Sequence, residues 1–249
     1  MQLKIISSSS SGNSYLLTNG KETLVVEAGM PFKKVKEALN FDISHLVGVV
    51  CSHAHLWGKL DHIKYISQFS DAGINCYSSR EALTSIGIID SPFAKPIEPN
   101  NIIKVGGFDI VAFELEHDVR CFGYLIRHDD IGKLLFVTDT SYIPYKFNGL
   151  RNLMVECNYS EELINQSASF SNSVSAIRSR VMDSHIEIET LKIFLKNTDL
   201  SMVDNIILLH LSSSNSNAKE FKEDIERLTG KRVFIADSGM SINLKAWDF

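Results

Sequence analysis

Along this chain, short apolar runs alternate with polar breaks, and in the first half most runs are of strand size. "LKII" (3–6), "SYLLT" (14–18), "TLVVEA" (23–28), "LVGVVC" (46–51), "INCYSS" (74–79), "FDIVAFEL" (108–115), "FGYLIR" (122–127) and "KLLFVT" (133–138) are rich in β-branched and aromatic residues. Gly, Asn, Asp and Ser bound them, as they bound strands. Helical spacing appears between and after these runs. "PFKKVKEALN" (31–40) opens on Pro31 and puts Phe32, Val35 and Leu39 on one face; "DHIKYISQF" (61–69) does the same with Ile63, Ile66 and Phe69. "HIEIETLKIFLKN" (185–197) and "NAKEFKEDIERLTG" (217–230) are amphipathic, and Gly230 stands where a C-cap would. Too many strands follow one another without a helix for a doubly wound parallel sheet. The pattern predicts an α+β fold, two stacked sheets with helices outside: a four-layer αβ/βα sandwich.

The polar residues fall at particular places in that pattern. "LVGVVC" leads into Ser52-His53-Ala54-His55, "FDIVAFELE" into His117-Asp118, and "KLLFVT" into Asp139; "NLMVE" ends on Glu156 and "NIILL" is followed by His210. Ligand sites collect at the C-terminal ends of strands in open sheets. Taken singly, each has a structural reading: a His after a strand is commonly a hydrogen-bonded loop residue, and Asp139 in "VTDTS" suits a turn. Four histidines and an aspartate at one end of successive strands point instead to a joint metal site.

Composition narrows the chemistry. The 249 residues include 44% hydrophobic and 22% charged, enough for a substantial core, with a net charge of −5 and a pI near 5.9. That balance argues against a broad basic face for duplex DNA or anionic lipid. No apolar run approaches the ~20 residues of a membrane span, and the start, "MQLKIISSSSSGNSYLL", is not expected to be a signal peptide. The expectation is one domain over residues 1–249, cytoplasmic. Cys51, Cys76, Cys121 and Cys157 lack close pairing and read as reduced core thiols. "NQSASFSNSVSAIRSR" (165–180) is polar and without clear periodicity, the best candidate for a mobile insertion. His45 and His128 fit no motif and read as surface residues.

Imidazoles and carboxylates suit zinc and similar divalent ions, and a bridging carboxylate such as Asp139 can hold two ions roughly 3.5–4 Å apart, activating a shared water. These residues resemble the metallo-β-lactamase superfamily in the order in which it uses them: "SSSSSGNSYLL", "VVEAG" at Glu27, His-x-His with a later Asp-His, a lone His, a bridging Asp and a final His. The resemblance implies that His53, His55 and His117 hold the first metal, Asp61, His62 and His210 the second, with Asp139 bridging. "HDVRCFGYLI", "LLFVTDTSY", "VECNYSEELI", "SHIEIE" and "LLHLSSSNSN" are similar to the branch with WalJ/YycJ-type exonucleases, tRNA 3′-processing endonucleases and phage-type anti-Pycsar phosphodiesterases. By that likeness His185 acts beside the metals and Glu156 orients it. Tyr159 stands where WalJ-like enzymes have a His.

A second departure is "LWGK" (56–59), which sets Asp61 and His62 eight and nine residues after His53, against four and five in the superfamily. Lengthening the following helix in line would move both by about 6 Å, far beyond the roughly 0.2 Å a metal site tolerates. A bulge before the helix, eased by Gly58, would return them to the site and carry Trp57, which could cover the centre or stack on a base. The bulge is the favoured reading.

The expected activity is a phosphodiesterase using two Zn2+ per chain, with Mn2+ or Mg2+ as alternatives, on a small nucleotide, above all a cyclic mononucleotide. Asp61 would position the nucleophile and His185 protonate the leaving oxygen. The alternatives are a nuclease on DNA or RNA, disfavoured by the acidic balance, and a non-catalytic binding protein with a damaged site. The resemblance further implies a homodimer, with residues 165–180 able to reach a partner's site.

Overall fold

The computed structural model describes residues 1–9, 12–55, 62–168 and 181–244. Two seven-stranded sheets form its centre. The first runs in the order β14 (Ser241–Asn243), β1 (Gln2–Ser7), β2 (Ser14–Thr18), β3 (Thr23–Val26), β4 (Leu46–Val50), β5 (Cys76–Ser78) and β6 (Ala94–Pro96). The second runs β13 (Arg232–Ile235), β12 (Asn205–Leu209), β11 (Leu150–Glu156), β10 (Gly132–Val137), β9 (Cys121–His128), β8 (Phe108–Leu115) and β7 (Ile102–Val105). Each sheet is mixed: β14 to β3 and β7 to β10 pair antiparallel, while β3 to β6 and β10 to β13 pair parallel.

Strands buried on both faces need apolar residues at successive positions, which is why they read as continuous runs. Leu17, Val26, Leu134, Phe136, Ile207 and Leu209 point into one cluster between the sheets. Their neighbours point outward: Leu16 and Val25 meet Phe32, Val35, Phe69 and Leu83, and Leu135, Ile206 and Leu208 meet Leu191, Leu195, Phe221 and Ile225. The helices carrying those outer partners are α1 (Phe32–Ala38), α2 (Ile66–Asp71) and α3 (Arg80–Ser85) on the first sheet, α5 (Ile188–Lys196) and α6 (Ala218–Thr229) on the second. The architecture is the αβ/βα sandwich that the sequence pattern predicts.

Local chemistry accounts for the helix ends. Asn217 accepts from Glu220 N–H at the start of α6, and Gly230 closes it in the left-handed region at φ 66°. Glu187 accepts from the N–H groups of Glu189 and Thr190 at the start of α5.

Several expectations need correction. The helix expected over 61–69 is α2, which begins only at Ile66. His62 and Tyr65 are instead stitched to the end of β3: Ala28 N–H donates to His62 O (2.7 Å), and Tyr65 N–H donates to Ala28 O (2.9 Å). The start of the serine-rich segment is helical, because α4 (Glu161–Ala168) runs into it behind two glutamates in its first turn; residues 169–180 lie outside the described residues. His128 is buried, its Nε2 lying 2.9 Å from Glu22 Oε1 and its ring tilted against Phe108. His45 is half-exposed, as expected. All four cysteines are buried and unpaired. No helix of the described residues is long and apolar enough to cross a membrane.

Candidate metal centre

The parallel strands of both sheets end at one place, and the polar residues stand there. Glu27 follows β3, Ser52 to His55 follow β4, Asp139 follows β10, Glu156 closes β11, and His210 follows β12. Glu27 (φ 68°), Asp139 (φ 48°) and His210 (φ 54°) all lie in the left-handed region, which residues with a Cβ seldom adopt. Each is buried. Strained backbone at these three strand ends turns the side chains inward, and such strain persists where the surroundings over-determine it.

Two groups of ligand-type atoms result, with a third linking them. His53, His55 and His117 form the first: His53 Nε2 and His55 Nε2 are 3.1 Å apart, and His117 Nε2 and His55 Nε2 are 3.4 Å apart. Asp139, Glu156, His185 and His210 form the second; His53, His62 and Asp139 join them. His62 Nε2 lies 2.5 Å from Asp139 Oδ2. The structure therefore brings His62 to the centre despite the four extra residues. Asp61 and "LWGK" (56–59), with Trp57, lie outside the described residues.

The surroundings set the ring orientations. His53 Nδ1 faces Ser52 Oγ at 2.8 Å and Cys121 Sγ at 3.5 Å, leaving Nε2 toward the cluster. Glu27 Oε1 accepts from Ser52 N–H (3.1 Å), while Glu27 Oε2 and Asn13 Nδ2 stand 3.6 and 3.4 Å from His62 Nδ1. Glu156 Oε1 meets His185 Nδ1 at 2.8 Å and His210 Nδ1 at 2.7 Å, and Asp139 Oδ1 meets the same two nitrogens at 3.0 and 3.3 Å. Asp118 Oδ1 lies 3.0 Å from His117 Nε2 and 3.4 Å from His55 Nδ1. Asn13 and Cys121 lie in stretches that carry the resemblance and Ser52 opens the His-x-His stretch, but only the folded geometry shows the three as orienting groups.

The donor set fits divalent ions. Burial holds His53 and His117 below the usual histidine range, so their imidazoles are neutral with lone pairs to give. His117 Nδ1 is buried without a hydrogen-bond partner among the described residues. Burial also opposes charge on His185, but Glu156 and Asp139 outweigh it and raise its pKa to about 9. Asp139 resists burial likewise: the charges on His62 and His210 hold it well below the carboxylate range. Two fully buried carboxylates thus draw positive charge to themselves, as a cation site must. A wider hollow of about 630 Å³ involves Met1, Lys4, Thr18 and Lys21, at the opposite ends of β1 and β2, and brings no such group together.

Comparison with known proteins agrees. The sequence model described as the metallo-β-lactamase superfamily matches residues 9–151. Exodeoxyribonuclease WalJ of Streptococcus pneumoniae is 24% identical over 260 residues, spanning 98% of this chain and 92% of that protein. Among solved structures, the metallo-β-lactamase fold protein YhfI of Bacillus subtilis superposes with a TM-score of 0.70 at 16% identity, over 97% of this chain and 98% of its own. Human tRNase Z, short form, gives 0.64 at 11% identity, over 98% and 99%. The chain belongs to the metallo-β-lactamase superfamily and is built as one of its metal-dependent hydrolases.

Proposed function

We propose that the protein is a metal-dependent phosphodiesterase acting on a small nucleotide, above all a cyclic mononucleotide. The observation that carries this reading is the pairing of His185 Nδ1 with Glu156 Oε1 at 2.8 Å, beside Asp139. An ester oxygen leaving phosphorus needs a proton, and this imidazole stands next to the ligand cluster to give one.

His53, His55 and His117 would hold one ion and His62 and His210 a second, with Asp139 between them and Asp61 the remaining candidate for the second site. Bound there, divalent ions act as Lewis acids on a phosphoryl oxygen and bring the pKa of water near neutrality. The chain's own residues do the rest. Glu156 fixes the His185 tautomer with its proton on Nδ1 and supports the imidazolium; the ring is one-fifth exposed, and its other nitrogen would serve the substrate. Glu27, through Ser52 N–H and toward His62, keeps β4 and the His62 turn in register with each other.

Asp118, half-exposed beside His117, and the net charge of −5 favour a small anion neutralised at the centre over a long polyanion needing a basic track. The second reading is an exonuclease, favoured by the likeness to WalJ over nearly the whole chain. Purified protein supplied with zinc or manganese decides between them. The first reading expects cleavage of 3′,5′-cyclic nucleotides and slow or no digestion of DNA; digestion of DNA or RNA with cyclic nucleotides intact overturns it. A homodimer is part of the same proposal, tested by light scattering.

A further inference from the structure

Between β10 and β11, residues 138–149 form an irregular crossover, long for one without a helix. It leaves the site at Asp139. Ile143 and Phe147 pack into the outer core, and Tyr145 and Phe147 meet the Phe113 ring at 5.2 Å each. The crossover is therefore pinned on its far side. Tyr142, three residues from Asp139, is not drawn in with them: the residue is 45% exposed, although burial would be the favourable fate of a tyrosine ring with a core beside it.

Tyr142 also lies near the other half of the centre. Its hydroxyl is close enough to Glu116, the residue before His117, for that carboxylate to oppose its ionisation. The ring thus stands near the strand ends that supply Asp139 and His117. It also walls a hollow of about 230 Å³ lined by Tyr145, Ile193 and Thr190. Tyr142, Tyr145 and Ile193 are three of the large hydrophobic side chains exposed on the described surface, and they converge on this one hollow. Thr190 is on the first turn of α5, the helix that follows His185 in the chain.

Resting on the phosphodiesterase reading above, we infer that Tyr142 is a specificity-determining residue: it stacks on the base of a nucleotide whose phosphate lies at the centre. Stacking on a π-face tolerates any base, so Tyr142 confers preference for a nucleoside over a bare sugar phosphate rather than a choice among bases.

The test compares kcat/KM for adenosine 3′,5′-cyclic phosphate with that for 1-O-methylribose 3′,5′-cyclic phosphate, which lacks the base. In the wild type the base is expected to give an advantage of about tenfold, the size of one base–aromatic stack. Tyr142→Ala should erase that ratio through KM, and Tyr142→Phe, which loses the hydroxyl and keeps the ring, should retain most of it. A ratio that survives Tyr142→Ala, or that Tyr142→Phe abolishes equally, overturns the inference. A wild type that cleaves both substrates alike also overturns it and leaves the phosphodiesterase reading standing. A wild type that cleaves neither while cutting DNA overturns the cyclic-nucleotide reading and this inference with it.

Discussion

His185 Nδ1 and Glu156 Oε1 are 2.8 Å apart, and that same carboxylate oxygen also receives His210 Nδ1 at 2.7 Å. One buried oxygen therefore orients both a proposed proton donor and a proposed metal ligand. Glu156→Gln keeps the shape and removes the charge that supports both rings. It should lower kcat by about 10- to 100-fold, the usual size of losing a group that orients a ligand. His185→Ala should lower kcat by about 10²- to 10⁴-fold with its metal content kept. Steady-state kinetics beside metal analysis separate the two; a Glu156→Gln enzyme of full activity contradicts the assignment.

Arg120 clamps the turn that carries His117. Its guanidinium bonds Glu114 (3.1 Å), Glu81 on α3 (3.0 Å) and Glu98 (3.1 Å), and it lies over the Phe122 ring. The three carboxylates are more than half exposed, so the stability lost in Arg120→Ala should be modest, about 1 kcal/mol, and smaller in high salt. Metal affinity should fall further than stability does, because His117 loses its fixed turn. Arg120→Lys should restore little, since one ammonium cannot span three partners. Metal titration with a thermal melt at two salt concentrations measures both effects.

Glu22 ties β9 to the first sheet. Partial burial disfavours its charge, but hydrogen bonds from Gly107 N–H and His128 hold its pKa below 4.5. A depressed carboxylate contributes stability that is present above its unfolded pKa and is lost as pH falls through the folded one. Glu22→Gln should therefore cost about 1 kcal/mol near pH 7 and progressively less below about pH 4. Denaturant melts across that range test it; a cost that grows on acidification contradicts the sign.

Gly123 pairs across the sheet with Phe113, and a Cβ on Gly123 would overlap the Phe113 ring. Gly123→Ala should cost about 1–3 kcal/mol through forced repacking. Because Phe113 supports Tyr145 and Phe147, the substitution should also disturb the crossover after Asp139. A thermal melt reads the first effect, and a raised KM with little change in kcat reads the second.

Much of the site was legible because apolar runs end where ligands begin. His53, His55, His117, Asp139, Glu156 and His210 could each be placed from the strand that precedes it. Periodicity also found α1, α5 and α6, whose apolar faces pack on the sheets. It missed α3, β6, β7, β13 and β14, short elements whose burial depends on neighbours distant in sequence. His128 was misread for the same reason: its partner Glu22 lies 106 residues away. The left-handed conformations of Glu27, Asp139 and His210 leave no trace in residue type, since glycine is what such backbone usually advertises. The place of His62 could be argued only as a choice between a lengthened helix and a bulge before it. The bonds joining Ala28 to His62 and Tyr65 supply the reason it reaches Asp139.

The central claim is a two-ion centre completed by His62 across the extra residues 56–59. Metal analysis of the protein loaded with zinc and freed of excess, wild type beside His62→Ala, tests it most directly. The account predicts about two ions per chain in the wild type and about one in the variant, with phosphodiesterase activity lost alongside. A wild type that holds no ion, or a His62→Ala protein that still holds two, would contradict it.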